Sequence, residues 1–195
     1  KFTPLFKVNY SRKRNIVATS LFKMSKGYKN LNIYLEGIKK TNDRIKLKKI
    51  DFEFRLFIDK SIYNDNEVLS FLKKEDIKLV LFHCDNYIID KYHRGTFGTI
   101  IRFFPMFDFK NNDSDIVIII DSDEYGNNLD KLLETINFLK KNDNLEGLCL
   151  YFQGSFAKQI NKINGNNIAY CMANTLINKE KIKKSIIENY LKNIF

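Results

Sequence analysis

Two aspartates separated by one residue follow the most apolar segment of the chain. The segment spans residues 116–120, and the next residues are Asp121-Ser122-Asp123-Glu124. If the chain stays extended there, Asp121 and Asp123 project to the same side, because strand side chains alternate with a period of two. Neighbouring carboxylates repel each other unless a cation lies between them, and oxygen ligands suit Mg²⁺ or Mn²⁺. The pattern therefore predicts a divalent metal at Asp121 and Asp123, of the kind that binds diphosphate oxygens.

The same aspartates have a second interpretation. Asp121 or Asp123 could cap a helix that begins near Asn128, within an ordinary solvated turn. Several motifs of other chemistries are absent from the sequence: the GxxxxGK[ST] phosphate loop, GxGxxG after the first predicted strand, HExxH and GxSxG. Their absence disfavours P-loop nucleotide hydrolysis, dinucleotide redox chemistry, zinc peptidase activity and esterase activity.

The spacing of apolar residues predicts strands and helices in alternation. Six short apolar or β-branched runs predict strands, at residues 15–22, 52–58, 77–82, 116–120, 147–152 and 168–177. Apolar residues three and four apart predict helices at residues 28–40, 94–107, 129–139 and 179–194. A further helix is predicted after Asp65, which would be its N-cap. Pro105 is expected to close or kink the helix at 94–107. This alternation predicts a three-layer α/β domain with a mainly parallel central sheet. In such sheets ligands bind beyond the carboxyl ends of the strands, where the two aspartates are expected.

Length and composition bound the domain organisation. The chain has 195 residues, of which 44% are hydrophobic and 29% charged. This length and composition predict one globular domain over residues 1–195. No apolar run approaches the roughly 20 residues of a transmembrane helix. Three separated cysteines, Cys84, Cys149 and Cys171, form no CxxC pair and favour a reducing compartment. We therefore expect a cytoplasmic protein, although a cleaved signal or anchor could precede Lys1.

The positive charge has two interpretations. Lys and Arg number 33 against 23 Asp and Glu, and the net charge of +10 would suit nucleic acid or another anionic surface. Only six of the basic residues are Arg, however, and the chain is rich in Asn and Ile, whose codons are A/T-rich like those of Lys. The basic runs are short and scattered, as they are on solvated faces. A nucleic-acid partner is therefore not expected.

Four stretches of the sequence resemble the GT-A glycosyltransferases, and most closely the family 8 type that uses nucleotide sugars. Residues 17–20, Val-Ala-Thr-Ser, resemble the segment that receives the nucleotide. Residues 54–59 and 77–82 resemble the second and third strands of that family. Residues 99–107, with an Arg and a Pro, lead into residues 116–123 as the family's helix leads into its DxD motif. Residues 170–181 are similar to the segment that lines the donor-sugar pocket.

This resemblance implies a GT-A (Rossmann-like) domain that moves a sugar from a nucleoside diphosphate sugar, in the first place a UDP-sugar, to an acceptor hydroxyl. The acceptor would be a glycan, a protein or a small molecule, and the cofactor Mn²⁺ or Mg²⁺. Asp121 would contact the ribose and the metal, and Asp123 would ligate the metal directly. The residues implied in donor binding are Thr19, Ser20, Arg102, Asp121, Ser122, Asp123 and Asn174. No catalytic residue is assigned.

Departures from the family pattern keep two alternatives open. Residues 171–174 replace the small residues expected in the sugar pocket, and both His residues precede the DxD, so the family's later His ligand has no counterpart. We also expect a truncated acceptor-binding portion at the C-terminal end. One alternative is a non-catalytic domain that binds a sugar nucleotide or a protein partner. The other is a Toprim-type nucleic-acid enzyme, with residues 118–126 as its DxD strand and Glu36 as its upstream acid, although Glu36 falls inside a predicted helix.

Overall fold

Strands and helices alternate along the chain, as the sequence predicts. The computed structural model describes residues 1–8, 14–24, 30–84, 88–89, 92–93, 97–109, 114–123, 129–142, 147–150, 160–163, 166–169, 175–178 and 181–194. The strands in these ranges are β1 (Phe2–Pro4), β2 (Arg14–Leu21), β3 (Glu53–Ile58), β4 (Lys78–Phe82), β5 (Ile88–Ile89), β6 (Tyr92–His93), β7 (Ser114–Ile120), β8 (Gly147–Leu150), β9 (Ile160–Ile163), β10 (Asn166–Ala169) and β11 (Thr175–Asn178). The helices are α1 (Leu31–Leu47), α2 (Lys60–Tyr63), α3 (Asn66–Lys74), α4 (Phe97–Ile101), α5 (Leu129–Lys141) and α6 (Lys184–Ile194), with a 3₁₀ turn at Phe104–Met106.

Seven strands form the central sheet, in the order β1-β4-β3-β2-β7-β11-β8. The four strands β4, β3, β2 and β7 are parallel neighbours, whereas β1 and β11 run antiparallel to the strands beside them. β2 lies in the middle, with Val17 opposite Phe54 of β3 and Ile118 of β7. The prediction of a mainly parallel sheet is therefore confirmed. The described residues also contain two short antiparallel pairs, β5 with β6 and β9 with β10.

Helices cover both faces of the sheet and give the fold its three layers. On one face, Ile38 of α1, Leu72 of α3 and Ile136 of α5 pack with Val17 and Ile118 of the sheet. On the other face, the core combines Phe97 and Ile101 of α4, Ile187 and Leu191 of α6, and Ile16, Ala18, Val117 and Ile119 of the sheet. Strands β2 and β7 are apolar on both sides because both sides are covered. This confirms the three-layer α/β class.

Two predicted elements differ in the structure for identifiable reasons. In place of the helix predicted over 94–107, the structure has α4 and then the 3₁₀ turn that contains Pro105. The α-helix does not continue through Pro105, because proline donates no N–H and restricts the residue before it. The helix predicted from residue 179 begins only at Lys184. Ile182 first pairs with Phe107 in a parallel bridge, and the Asp108 Oδ1 atom then accepts a hydrogen bond from the Lys184 N–H at 2.5 Å.

No helix among the described residues is both long enough and apolar enough to span a bilayer.

Candidate functional site

The carboxyl ends of the two central strands place most of the predicted site residues at one edge of the sheet. Ala18 of β2 lies opposite Ile119 of β7, so the next two residues of β2, Thr19 and Ser20, lie beside the end of β7 while they stay paired with β3. Beyond β7 the chain does not stay extended, because Ser122 and Asp123 form a turn. The alternation of strand side chains therefore stops at this point and does not fix the direction of Asp123. Asn174 lies outside the described residues.

Arg102 is bound to the first aspartate of the turn. It follows α4, and its Nη1 atom donates to Asp121 Oδ1 and, at 3.1 Å, to the Ile120 carbonyl oxygen. The Arg102 side chain is 12% exposed and that of Asp121 35%, and the guanidinium carbon lies 5.4 Å from the centroid of the Phe103 ring. The buried Arg102 Nε atom has no hydrogen-bond partner among the residues that the structure describes. The resemblance implies that Arg102 reaches the donor, whereas in the structure Arg102 pairs with Asp121.

The backbone of the turn packs against Gly37 of α1, which has no side chain. A Cβ atom on Gly37 would lie 2.4 Å from the Ser122 carbonyl oxygen and 2.9 Å from the Asp123 Cα. Both atoms belong to the backbone, so no rotation of a side chain could relieve the overlap. Gly37 is thus a site residue that sequence reasoning missed. Its only signal was an isolated glycine inside a helical pattern, which often marks a close packing contact.

Thr19 and Ser20 point to opposite faces of the sheet, since neighbouring strand residues alternate. Thr19 lies between Val17 and Leu21 on the face covered by α1, and it is fully buried at 0% exposure. Within the described part of the chain, its Oγ1 atom has no hydrogen-bond partner. A buried hydroxyl without a partner costs free energy of folding, so it either serves a ligand or destabilises the fold.

Replacing Thr19 with Val is expected to stabilise the protein. The substitution removes an unpaired buried hydroxyl and keeps the β-branched shape, so the free energy of unfolding should rise by about 1 kcal/mol. Urea denaturation of both proteins measures this difference. Thr41→Val is the matched control, because Thr41 of α1 is equally buried and has an interaction partner. A less stable Thr19→Val, comparable with the control, would mean that the Thr19 hydroxyl is satisfied in solution.

A hydrogen-bond network fixes the segment that leaves β2. Asp59, at the end of β3, caps α2 by accepting from the Ser61 N–H at 3.0 Å. The Ser61 hydroxyl accepts from the Lys23 N–H at 2.9 Å, and the Lys23 ammonium donates to Asp65 Oδ2 at 2.7 Å. The bond from Lys23, and then the bond from the Val68 N–H, hold the pKa of Asp65 below its ordinary value. Asp65 caps α3, as the sequence predicts.

The two carboxylates of the turn suit a metal ion that takes its remaining ligands from a bound phosphate group and water. Among the described residues, no group of three or more His, Cys, Asp or Glu side chains could hold a metal ion. Asp121 and Asp123 offer two carboxylates, one of which is shared with Arg102. Mg²⁺ commonly binds through one or two carboxylates and takes its other ligands from water and phosphate oxygens. The donor set therefore fits a metal–diphosphate pair better than a metal bound by protein alone.

Comparisons with known proteins include a distant structural similarity. No family model matches the chain, and no curated protein sequence matches it. Among solved structures, the chain is similar to 4-diphosphocytidyl-2C-methyl-D-erythritol synthase from Anaerococcus prevotii DSM 20548. The match covers 96% of this chain and 80% of that chain, with 18% sequence identity and a TM-score of 0.47. A similarity this distant assigns neither a reaction nor a substrate to the chain.

Proposed function

We propose that the chain is a metal-dependent glycosyltransferase domain that moves a sugar from a nucleoside diphosphate sugar, first of all a UDP-sugar, to an acceptor hydroxyl. The observation that carries the proposal is the Asp121–Asp123 turn, at the carboxyl end of β7 and beside the end of β2. Ligands of parallel α/β sheets bind at this edge. The sequence resemblance to family 8 glycosyltransferases, which includes this turn, is the second support.

The proposed roles follow from the charges around the turn. Asp123, with Asp121, would hold Mn²⁺ or Mg²⁺, whose positive charge stabilises a departing diphosphate. Arg102 would orient Asp121 through its Nη1 atom and add positive charge beside the diphosphate. By the resemblance, Thr19 and Ser20 would border the nucleoside, although both side chains are buried in the structure.

The transfer itself would exchange one bond at the sugar for another. The bond between the anomeric carbon and the diphosphate oxygen breaks, and the anomeric carbon bonds to the acceptor oxygen. The acceptor hydroxyl loses its proton, and the nucleoside diphosphate is released. What the turn would contribute is stabilisation of the leaving group, through a metal held by its carboxylates.

The position of Glu36 argues against the Toprim-type alternative. Glu36 belongs to α1, as predicted, and its side chain is 66% exposed and paired with Lys40 at 3.5 Å. An upstream acid of a nucleic-acid enzyme would have to share the metal with the DxD aspartates, whereas this carboxylate faces solvent. The proposal therefore retains two outcomes for a nucleotide-sugar site, transfer or binding without turnover.

Release of the nucleoside diphosphate tests the proposal. We expect the protein to release UDP, GDP or CDP from one series of nucleotide sugars when Mn²⁺ is present, and to lose this activity completely in EDTA. The assay monitors free nucleotide with water and with a panel of sugar acceptors. Donor binding without release from any acceptor would support the non-catalytic alternative. Absence of donor binding, together with salt-sensitive binding of single-stranded DNA, would contradict the proposal.

A further inference from the structure

We propose that the protein docks on an anionic lipid surface through a basic patch at the carboxyl ends of α1 and α3. The basic patch consists of residues 46–49 and 73–76. α1 and α3 each connect two neighbouring parallel strands, so their carboxyl ends lie at the amino edge of the sheet. This edge is opposite the Asp121–Asp123 turn, and docking there does not depend on the nucleotide-sugar function proposed for the turn.

Contacts at Glu75 join the two helix ends into one surface. The Glu75 carbonyl oxygen accepts hydrogen bonds from the Lys46 Nζ atom and the Asn42 Nδ2 atom, each at 2.7 Å. The Glu75 carboxylate pairs with Lys39 of α1 at 3.2 Å. Two basic segments that are separate in the sequence therefore lie side by side in the fold.

The basic patch carries a net positive charge. Its five lysines outnumber its two acids, and all five are exposed: Lys46, Lys48, Lys49, Lys73 and Lys74. Both acids are engaged by lysines outside the patch, Glu75 by Lys39 and Asp76 by Lys78 at 3.4 Å. A lysine at a helix carboxyl end commonly offsets the partial negative charge there, and Lys46 already does so for α3. The further lysines exceed this need, and such a cluster attracts a surface of lipid phosphates.

An exposed leucine distinguishes a lipid surface from other anionic partners. Leu47 is 80% exposed, the highest value among the large apolar residues that the structure describes. It lies about 200° around the helix from Ile45, two residues earlier, which is buried in the core. Leu47 therefore faces away from the core, and its neighbours in the sequence are Lys46 and Lys48.

This combination matches the chemistry of a bilayer interface. A leucine between lysines can enter the acyl boundary while the ammonium groups stay at the level of the phosphates. A nucleic-acid backbone offers phosphates without an apolar layer for Leu47. A second copy of the basic patch would meet the first with like charge, which opposes association.

Hydrogen bonds at the end of α1 hold this segment in one conformation. The Lys49 N–H donates to the Lys46 carbonyl oxygen at 3.1 Å, and the Ile50 N–H donates to the Ile45 carbonyl oxygen at 3.2 Å. Lys49 has a φ of 49°, in the left-handed region that favours glycine. The helix end is thus ordered before docking, and Lys49→Gly removes a charge from it without straining the backbone.

Vesicle binding by the 195-residue chain tests the basic patch. We expect the wild type to co-sediment with mixed vesicles of phosphatidylcholine and phosphatidylglycerol, and not with vesicles of phosphatidylcholine alone. Each lysine near an anionic membrane adds about fivefold in affinity, so the triple variant Lys49→Gly, Lys73→Gln and Lys74→Gln should bind about a hundredfold more weakly. Leu47→Gln should bind about tenfold more weakly, because its side chain no longer enters the interface.

A matched control removes the same charge from the other face of the sheet. Lys183, Lys184 and Lys192 are exposed on or beside α6, which packs on the face opposite α1 and α3. Charges are screened beyond about 8 Å at physiological salt, so replacing all three with Gln should leave vesicle binding within about twofold of the wild type.

The outcomes separate a local lipid contact from a general effect of charge. Equal losses in the two triple variants would show that net charge rather than the basic patch attracts the vesicles, and would overturn the assignment. Binding by Leu47→Gln equal to that of the wild type, or tighter binding of the wild type to a short RNA duplex than to the mixed vesicles, would exclude lipid as the partner. Should a variant not fold, the wild type still decides: no binding to the mixed vesicles, or equal binding to neutral ones, overturns the docking surface.

Discussion

Asp123→Asn should abolish the Mn²⁺-dependent binding of nucleoside diphosphate while leaving the fold intact. Asp123 lies half-buried in the turn after β7, and an amide of the same size keeps its packing there. An amide oxygen is a neutral and poorer ligand for Mn²⁺ or Mg²⁺ than a carboxylate. Changes in groups that only support metal ligands cost ten- to a hundredfold in affinity, so loss of a ligand should cost about a hundredfold or more. Calorimetric titration of UDP with Mn²⁺ present measures the loss.

A matched control lies on the same strand. Asp115 is exposed at the amino end of β7, at the edge of the sheet opposite the turn. Asp115→Asn removes the same charge from the same strand, and it should bind UDP and Mn²⁺ as the wild type does. Unchanged binding in Asp123→Asn would remove Asp123 from the site. Equal losses in both variants would indicate an effect of net charge rather than of a metal ligand.

Gly37→Ala should weaken Mn²⁺-dependent nucleotide binding about a hundredfold, although Gly37 touches no ligand. The new methyl group would overlap the Ser122 carbonyl oxygen and the Asp123 Cα, so the turn must move by a good fraction of an ångström. Displacements of about 1 Å in a positioned site cost about a hundredfold. Titration of Mn²⁺ and UDP against the variant measures the effect. The turn should yield before α1 does, because α1 is anchored in the core by Ile38 and Ile45.

Stability gives an independent indicator for this variant. Alanine is favoured over glycine in a helix by about 1 kcal/mol, which offsets part of the cost of the displaced turn. We therefore expect a thermal midpoint close to that of the wild type, together with a large loss of binding. Lys40→Ala, on the exposed side of the same helix, is the control and should bind normally. Normal binding by a folded Gly37→Ala would show that the contact does not position the turn.

The parallel strands could be predicted because burial on both faces leaves a strong local signal. Runs such as residues 116–120 are apolar at every position, and β7 is buried between helices on both sides as expected. The N-cap of α3 could also be predicted, since Asp65 precedes an apolar helical pattern. In the structure the Asp65 side chain accepts a hydrogen bond from the Val68 N–H at 3.1 Å. The fold class and the edge of the sheet that carries the two aspartates followed from these elements.

Other features depend on contacts between distant segments and leave no local pattern. The approach of Gly37 to the turn joins residues far apart in sequence, and so does the cap that Asp108 provides to Lys184 of α6. The ion pair of Arg102 with Asp121 depends on how α4 packs on the sheet. β1 was missed because it has only three residues and pairs at the edge of the sheet with β4. The predicted sugar-pocket residue Asn174 stays a prediction.

The most direct test of the central claim is a thermal-shift measurement on the wild-type protein with UDP, GDP, CDP and their sugars, each with Mn²⁺ or with EDTA. A ligand that binds the native state raises the melting temperature by mass action. The proposed site predicts a rise with one nucleotide series that requires Mn²⁺. No rise with any nucleotide, or an equal rise in EDTA, would contradict a metal-dependent nucleotide site at the Asp121–Asp123 turn.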